Sequence, residues 1–342
     1  MSSMIIKKAG LLTTLQDTGR KGYQQYGIPV AGAMDQYSLK LANILVGNSP
    51  SEAALEITLL GPTISFTDKA LIALTGGEFP IKLNGKEVSS YETIYVEAGS
   101  ELTIGAAIKG CRGYLAVKGG FDVPVIMGSK CTYLRGGFGG FMGRQLKEGD
   151  EISFPPTELQ SCHRRIPAAM IPSYEGNYTA RVIMGPEADR FTESGIYTFL
   201  NNEYTLTNQC DRMGYRVKGP IIEHTNGADI ISGGVNLGAI QVPGHGNPII
   251  MMADRQTTGG YTKIANVISV DIPRLAQLKP GDKIRFKSIT IEEAQQLLRQ
   301  QSSEISELIN KINTKISSPD LFRRYSIRVN DKSYEVLVEE VK

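Results

Sequence analysis

The sequence predicts a mainly β protein made of two related β-rich units, followed by a long helix and a hairpin. Three observations carry this. Short β-favouring runs separated by Gly, Asn and Pro clusters fill the first half at the spacing of a barrel or sandwich. LKEGDEISF at 146–154 recurs as LKPGDKIRF at 278–286, matching at Leu, Lys, Gly, Asp, Ile and Phe. Upstream, Gly61-Pro62 followed by Thr75-Gly76-Gly77 is echoed by Gly219-Pro220 followed by Ser232-Gly233-Gly234, and a period this long is too great for a solenoid.

Taken in order, strands are expected over 56–66, 70–75, 81–83, 93–96, 101–104 and 113–117. One helix interrupts them. Asp35 caps 36–46, Leu41, Ile44 and Leu45 form its apolar stripe, and Gly47 supplies the stop. Ser49-Pro50-Ser51-Glu52 has capping-box spacing with Pro at the first position, so a second short helix is expected there. Pro155-Pro156, Cys162 to Arg165 and Pro167 to Pro172 have linker composition, which places the boundary between the units near Pro167. Thr290-Ile-Glu-Glu293 is a capping box for a helix whose apolar face holds Ala294, Leu297, Leu298, Ile305, Leu308, Ile309, Ile312 and Ile316, ended by Ser317-Ser318-Pro319. Tyr325, Ile327 and Val329, then Tyr334, Val336 and Val338 across Asn330-Asp331, alternate as a β-hairpin. The expected divisions are thus 1–166, 167–288 and 289–342.

Composition narrows the function classes. The 342 residues suit about two domains at roughly 150 residues each, large enough to need no staples. Lys plus Arg number 37 against 35 Asp plus Glu, with no charged block, so no nucleic-acid partner is expected. No apolar run approaches the roughly 20 residues of a membrane span, and residues 1–12 lack a signal-peptide core, so no membrane partner and a cytoplasmic location are expected. Cys111, Cys131, Cys162 and Cys210 are widely spaced, and His163, His224 and His245 are the only histidines, which suggests neither a metal site nor a disulfide framework. The 37 glycines, spread along the chain, suit many tight turns.

Familiar catalytic signatures are missing: there is no P-loop, no GxGxxG and no GxSxG. The glycine run at 136–143 reads either as a flexible turn or as a loop facing substrate. Two polar clusters remain. In the first, Asp17, Thr18 and Arg20 bring a carboxylate, a hydroxyl and a guanidinium together, enough to bind a polar substrate or to lock a turn, while Asp35 is a helix cap or a catalytic carboxylate. The second runs from Gly238 through Gln241 and His245, along an apolar strand, to Asp254-Arg-Gln-Thr-Thr-Gly-Gly-Tyr261. An acid, a guanidinium, an amide, two hydroxyls and two glycines at the end of a strand have the makeup of a binding site, or of a β-turn satisfied by its own Asp-Arg pair. Arg255 suits a carboxylate or phosphate, Asp254 suits orienting it or exchanging a proton, and His245 is a titrating group or a solvated turn residue.

TLQDTGRKGYQQYGIPVAGAMD (14–35), ANILVGN (42–48), RGYLAVKGG (112–120) and above all IQVPGHGNPIIMMADRQTTGGYTKIA (240–265) resemble the biotin-dependent carboxyltransferase family. That family includes the C subunit of 5-oxoprolinase, also called KipA, and the allophanate hydrolase subunit 2-like part of urea carboxylase. The similarity runs from about Gly10 to Phe286 and implies tandem cyclophilin-like β-barrel units, in keeping with the repeat. It implies work beside two further 5-oxoprolinase components, a KipI-like B subunit and a lactam-utilisation A subunit, opening 5-oxo-L-proline to L-glutamate with ATP bound at the level of the complex. It also admits a urea carboxylase-like carboxyl transfer using biotin, or a non-catalytic KipA-like antagonist of a kinase inhibitor. Catalytic roles are expected of Asp254, Arg255, Asp17 and Arg20, and substrate contacts of Gln241, His245, Gln256, Thr257, Thr258, Gly259, Gly260, Tyr261 and Asp35. His245 and Asn247 depart from the family's usual Asp or Asn before Gly and Gln before Pro, which bears on specificity. YSIRVNDKSYEVLVEEV (325–341) resembles the opening hairpin of a biotin carrier domain, yet no Met-Lys pair occurs, so on the biotin reading a separate carrier is expected.

Overall fold

The computed structural model describes residues 2–156, 163–316, 322–329 and 332–339. Two compact units result, Met1–Arg299 and Gln300–Lys342.

In the larger unit, the first half forms two sheets. A six-stranded sheet runs in the order Glu151–Phe154, Ser2–Lys8, Thr63–Phe66, Glu101–Ile104, Ile81–Leu83 and Lys86–Glu87. A five-stranded sheet runs Leu12–Gln16, Ala54–Thr58, Lys109–Val117, Ala70–Glu78 and Thr93–Val96. Alternation along each strand sorts the side chains. Leu55, Ile57, Ile72, Leu74, Leu115 and Val117 share one core with Met4, Ile6, Ile64, Phe66 and Leu102 of the other sheet. The opposite face of the five-stranded sheet, which carries Glu56 and Tyr114, is also buried. Against that sheet packs the helix Gln36–Val46, whose first turn is capped by Asp35 accepting from the Ser38 amide at 2.9 Å and whose end is Gly47 at φ 79°.

The second half closes into a seven-stranded barrel: Asn177–Met184, Lys263–Val267, Ala239–Gln241, Ile249–Met251, Gly214–Lys218, Tyr204–Cys210 and Lys283–Ser288. Parallel pairing of Asn177 with Lys283 through Val182 with Ser288 makes the closure and removes both edges. A two-stranded ribbon, Asp229–Gly234 with Thr258–Tyr261, belongs to neither large sheet.

The sequence repeat has an atomic counterpart. In LKEGD the Asp150 carboxylate accepts from the Lys147 amide at 2.7 Å, and in LKPGD Asp282 accepts from Lys279 at 2.9 Å. The glycine before each aspartate is left-handed, Gly149 at φ 86° and Gly281 at φ 93°, and each turn launches a strand whose Ile and Phe are buried.

Two local expectations are corrected. Residues 49–52 form a turn rather than a helix, because Glu52 is drawn to the Lys130 ammonium at 2.8 Å instead of capping back. An unexpected helix, Glu193–Asn201, starts at Thr192, whose hydroxyl accepts from the Gly195 amide at 2.9 Å. Its Gly195 disfavours helix, and tertiary packing decides: Phe199 stacks on Phe286 with ring centroids 4.6 Å apart, worth roughly 0.5–1.5 kcal/mol beyond area burial.

The expected capping box exists. Thr290 and Glu293 exchange hydrogen bonds of 2.8 and 3.2 Å at the start of the helix Ile291–Ile316. In the smaller unit, Phe322–Val329 and Lys332–Glu339 pair antiparallel from Phe322 with Glu339 to Val329 with Lys332. The expected helix stop at 317–319 and turn at 330–331 lie outside the described residues, as does Cys162.

Candidate functional site

A cavity of about 520 Å³ opens at the barrel, within the size range of small-ligand sites. Three of the expected site residues line it: Gln241, Gln256 and Tyr261. Gln241 ends the strand Ala239–Gln241 and is 1% exposed. Its Oε1 accepts from Gln256 Nε2 at 3.4 Å, whereas its own Nε2 is buried with no hydrogen-bond partner among the described residues. A buried amide N–H left unpaired costs roughly 1–3 kcal/mol, so this donor is a standing invitation to an acceptor. Tyr261 ends the ribbon strand Thr258–Tyr261 and is 43% exposed, leaving its ring on the cavity wall.

Gly259 lies on the ribbon where a Cβ would stand 2.6 Å from Gln241 Nε2 and 3.1 Å from Val235 Cγ2. Only glycine leaves the amide its place. Cys210 also lines the cavity, and burial pushes its thiol up to about 11, so it is a neutral thiol at pH 7.

The other expected residues lie elsewhere. Asp17 is 8% exposed and its carboxylate is fully engaged: Oδ1 accepts from the Gly19 amide at 2.7 Å, both oxygens accept from Ser129 Oγ at 2.7 and 2.9 Å, and Oδ2 accepts from the Lys130 amide at 2.7 Å. Arg20 is fully buried, donates from Nη2 to the Cys131 carbonyl at 2.6 Å and stands 4.8 Å from the Phe138 ring centroid. These two pin both sides of the turn that leads into 131–143. Within that run the glycines answer to packing: a Cβ on Gly139 would meet the Cys131 carbonyl oxygen at 2.1 Å, and one on Gly143 the Gly137 carbonyl oxygen at 2.0 Å.

Asp35 is a buried cap, held also by Gln277 Nε2 at 2.7 Å, and burial raises its pKa above the ordinary value. His245 stands in an exposed turn, its Nδ1 accepting from the Asn247 amide at 3.2 Å, and neither residue lines the cavity. Thr257, Thr258, Gly259 and Gly260 belong to the ribbon or its approach and are not on the lining.

Asp254 is 4% exposed and forms a forked pair with Arg212, Nε to Oδ2 and Nη2 to Oδ1, both 2.9 Å. Arg212 Nη2 also donates to the Gly32 carbonyl at 2.5 Å, and its Nη1 to Glu56 Oε1. One guanidinium therefore ties the barrel to the five-stranded sheet and the loop before the first helix. Burial opposes its charge, but Asp254 and Glu56 outweigh that and hold its pKa above the usual arginine value. Glu56 further accepts from the Met34 amide at 2.8 Å and the Tyr114 hydroxyl at 2.7 Å. Arg255, by contrast, has carbonyl partners, Val235 at 3.0 Å and Met252 at 3.4 Å, and burial pushes its pKa down to about 10.

A family model described as carboxyltransferase domain, subdomain A and B, matches residues 26–288. The chain belongs to that family. This carboxyltransferase-domain protein is 39% identical over 303 residues to the 5-oxoprolinase C subunit of Escherichia coli (strain K12), covering 89% of the chain and 96% of that protein. To the like-named protein of Haemophilus influenzae it is 37% identical, covering 88% and 96%. Among solved structures it resembles the Kluyveromyces lactis urea carboxylase, with TM-score 0.85 and 32% identity over 90% of this chain and 29% of that one. It matches the K. lactis urea amidolyase equally well, while spanning only 20% of that chain.

Residues with no separate mark in the sequence complete the site of this carboxyltransferase-domain protein. Arg135 and Arg216 reach the cavity, and Arg212, bonded to Glu56, lies in the chain between the lining residues Asp211 and Met213. The one available signal is Glu56, a charge flanked by Ala54, Leu55 and Ile57 in the strand Ala54–Thr58.

Proposed function

We propose that the chain is the C subunit of an ATP-dependent 5-oxoprolinase, acting in the cytoplasm with a KipI-like B subunit and a lactam-utilisation A subunit to convert 5-oxo-L-proline to L-glutamate. The carrying observation is the 39% identity extending over 96% of a 5-oxoprolinase C subunit, set beside a cavity lined by a buried, unpartnered carboxamide nitrogen. A lactam is a cis amide, presenting a C=O and an N–H side by side. Gln241 and Gln256 offer the complement: a free Nε2 for the carbonyl oxygen and an amide oxygen for the N–H. As charge grows on that oxygen during ring opening, a preset donor in a water-poor wall stabilises it.

ATP supplies the activation that an unreactive amide requires. The 136–143 run does not suit a triphosphate, since neighbouring backbone crowds Gly139 and Gly143 and side chains crowd Gly136 and Gly140, and ATP is assigned to the complex rather than to this chain. Asp17, Arg20 and Asp254 act as positioning residues: the first two set the turn leading to Arg135, and Asp254 holds Arg212 between the lining residues Asp211 and Met213.

A second reading is favoured by the TM-score of 0.85 to urea carboxylase. The ureido ring of biotin is also a cis amide and meets the same complement, so a carboxyl transfer from a separate biotin carrier would use Gln241 in the same way. One assay separates the readings. With both partner proteins present, 5-oxoproline-dependent ADP release is expected to fall to background when this chain is omitted, and undiminished release would refute the assignment. Chain-dependent decarboxylation of carboxybiotin with urea supports carboxyl transfer instead. A complex that forms without either turnover supports a KipA-like antagonist.

A further inference from the structure

The charged residues on the cavity wall remain unexplained by amide recognition. Arg135 enters from the glycine-rich loop of the first half, is exposed, and among the described residues donates a hydrogen bond from Nη1 to Met213 Sδ. Arg216, exposed on the barrel strand Gly214–Lys218, donates from Nη1 to Gln209 Oε1 at 2.6 Å. Neither has a carboxylate partner among the described residues, unlike Arg144, Arg181 and Arg212, which all do. The carboxylate on the wall, Asp211, turns its Oδ1 to the Met213 and Gly214 amides at 2.8 and 3.1 Å. Two guanidinium groups against one carboxylate leave the cavity one positive charge in surplus, enough for one anionic group on a ligand.

We propose that Arg135 and Arg216 form the subsite for a single carboxylate borne by a small cyclic amide whose ring is read by Gln241 and Gln256. This rests on the proposed lactam reading and adds to it a reason why the ligand carries an acid: the planar forks suit a carboxylate, and the two arginines come from different halves of the larger unit. A neutral amide such as urea leaves both unused.

The test uses the assembled complex and isothermal titration with two probes that share a ring, 5-oxo-L-proline and 2-pyrrolidinone, which lacks the carboxylate. The wild type is expected to bind 5-oxo-L-proline about tenfold or more tightly than 2-pyrrolidinone, with added salt weakening only the former. Arg135→Gln and Arg216→Gln should each weaken 5-oxo-L-proline by about tenfold, leave 2-pyrrolidinone unchanged, and melt with the wild type because both side chains are exposed. Equal wild-type affinity for the two probes, or variants that weaken both alike, overturns the carboxylate subsite while the amide reading stands. Failure of both probes to bind the wild type overturns the amide reading and the subsite with it.

Discussion

Replacing Arg212 by Met keeps most of the side-chain volume and removes the charge that joins Asp254, Glu56 and the Gly32 carbonyl. All three ionic groups are at most 6% exposed, so the variant leaves Asp254 buried without its cation and Glu56 with only the Arg112 guanidinium, 3.9 Å away. Breaking a buried pair by removing one partner typically costs about 3–5 kcal/mol, far more than the pair itself contributes relative to an apolar substitute. With an unfolding entropy of roughly 2.1 cal/mol/K per residue, the unit Met1–Arg299 has about 0.6 kcal/mol/K, so the expected loss in Tm is about 5–8 °C. Scanning calorimetry measures it. The triple variant Glu56→Gln, Arg212→Met, Asp254→Asn removes the orphaned charges together and is expected to recover at least half of the loss. An Arg212→Met protein within about 1 kcal/mol of the wild type, or a triple variant no better than the single one, refutes the network as the tie between barrel and sheet.

Gly259→Ala places a methyl 2.6 Å from Gln241 Nε2, and is expected to lower 5-oxo-L-proline turnover by about tenfold or more with a Tm loss of only a few degrees, checked by steady-state kinetics beside melting. Gly143→Ala meets a left-handed φ of 68° and a carbonyl oxygen 2.0 Å away, so a loss of over about 2 kcal/mol in urea unfolding is expected. Arg144 holds the Asp150 carboxyl below its ordinary value near 3.8 through bonds of 2.6 and 2.8 Å. A depressed folded pKa stabilises above the unfolded value and is lost as pH falls through the folded one. Arg144→Gln should therefore cost about 0.5–1 kcal/mol at neutral pH and nothing in acid below the shifted pKa, read by melting across pH.

What was legible was local. The LKEGD and LKPGD turns are closed by a side chain reaching three residues back and by a left-handed glycine, chemistry that nine residues contain entirely. The Asp35 cap and the Thr290–Glu293 box are legible for the same reason, whereas the run 56–66, expected as one strand, is two, Ala54–Thr58 and Thr63–Phe66, in different sheets. The Glu193–Asn201 helix was not, because a stack on Phe286 outweighs its weak propensity. At the cavity, the second cluster supplies three lining residues, Gln241 before its apolar strand and Gln256 and Tyr261 after it. Arg212 escaped notice because its partners lie 156 residues away at Glu56 and 42 away at Asp254.

The same distinction explains why the charged members of both clusters stand back from the wall. A buried carboxylate incurs a desolvation penalty unless it is paired, and Asp17 and Asp254 meet that demand with amides, a hydroxyl and a guanidinium. Groups engaged in this way already have partners within the fold. A carboxamide can line the wall uncharged and still hold an unused donor, as Gln241 does. On the proposed reading this division follows from the substrate: the neutral amide ring is met by neutral amides in the buried part of the cavity. The acid is met where Arg135 and Arg216 remain exposed and water offsets the cost of their charge. Asp17 and Arg20, each bound to its own partners, and the buried Asp254–Arg212 pair then act at one remove, by fixing the turn that leads to Arg135 and the segment that carries Asp211 and Met213.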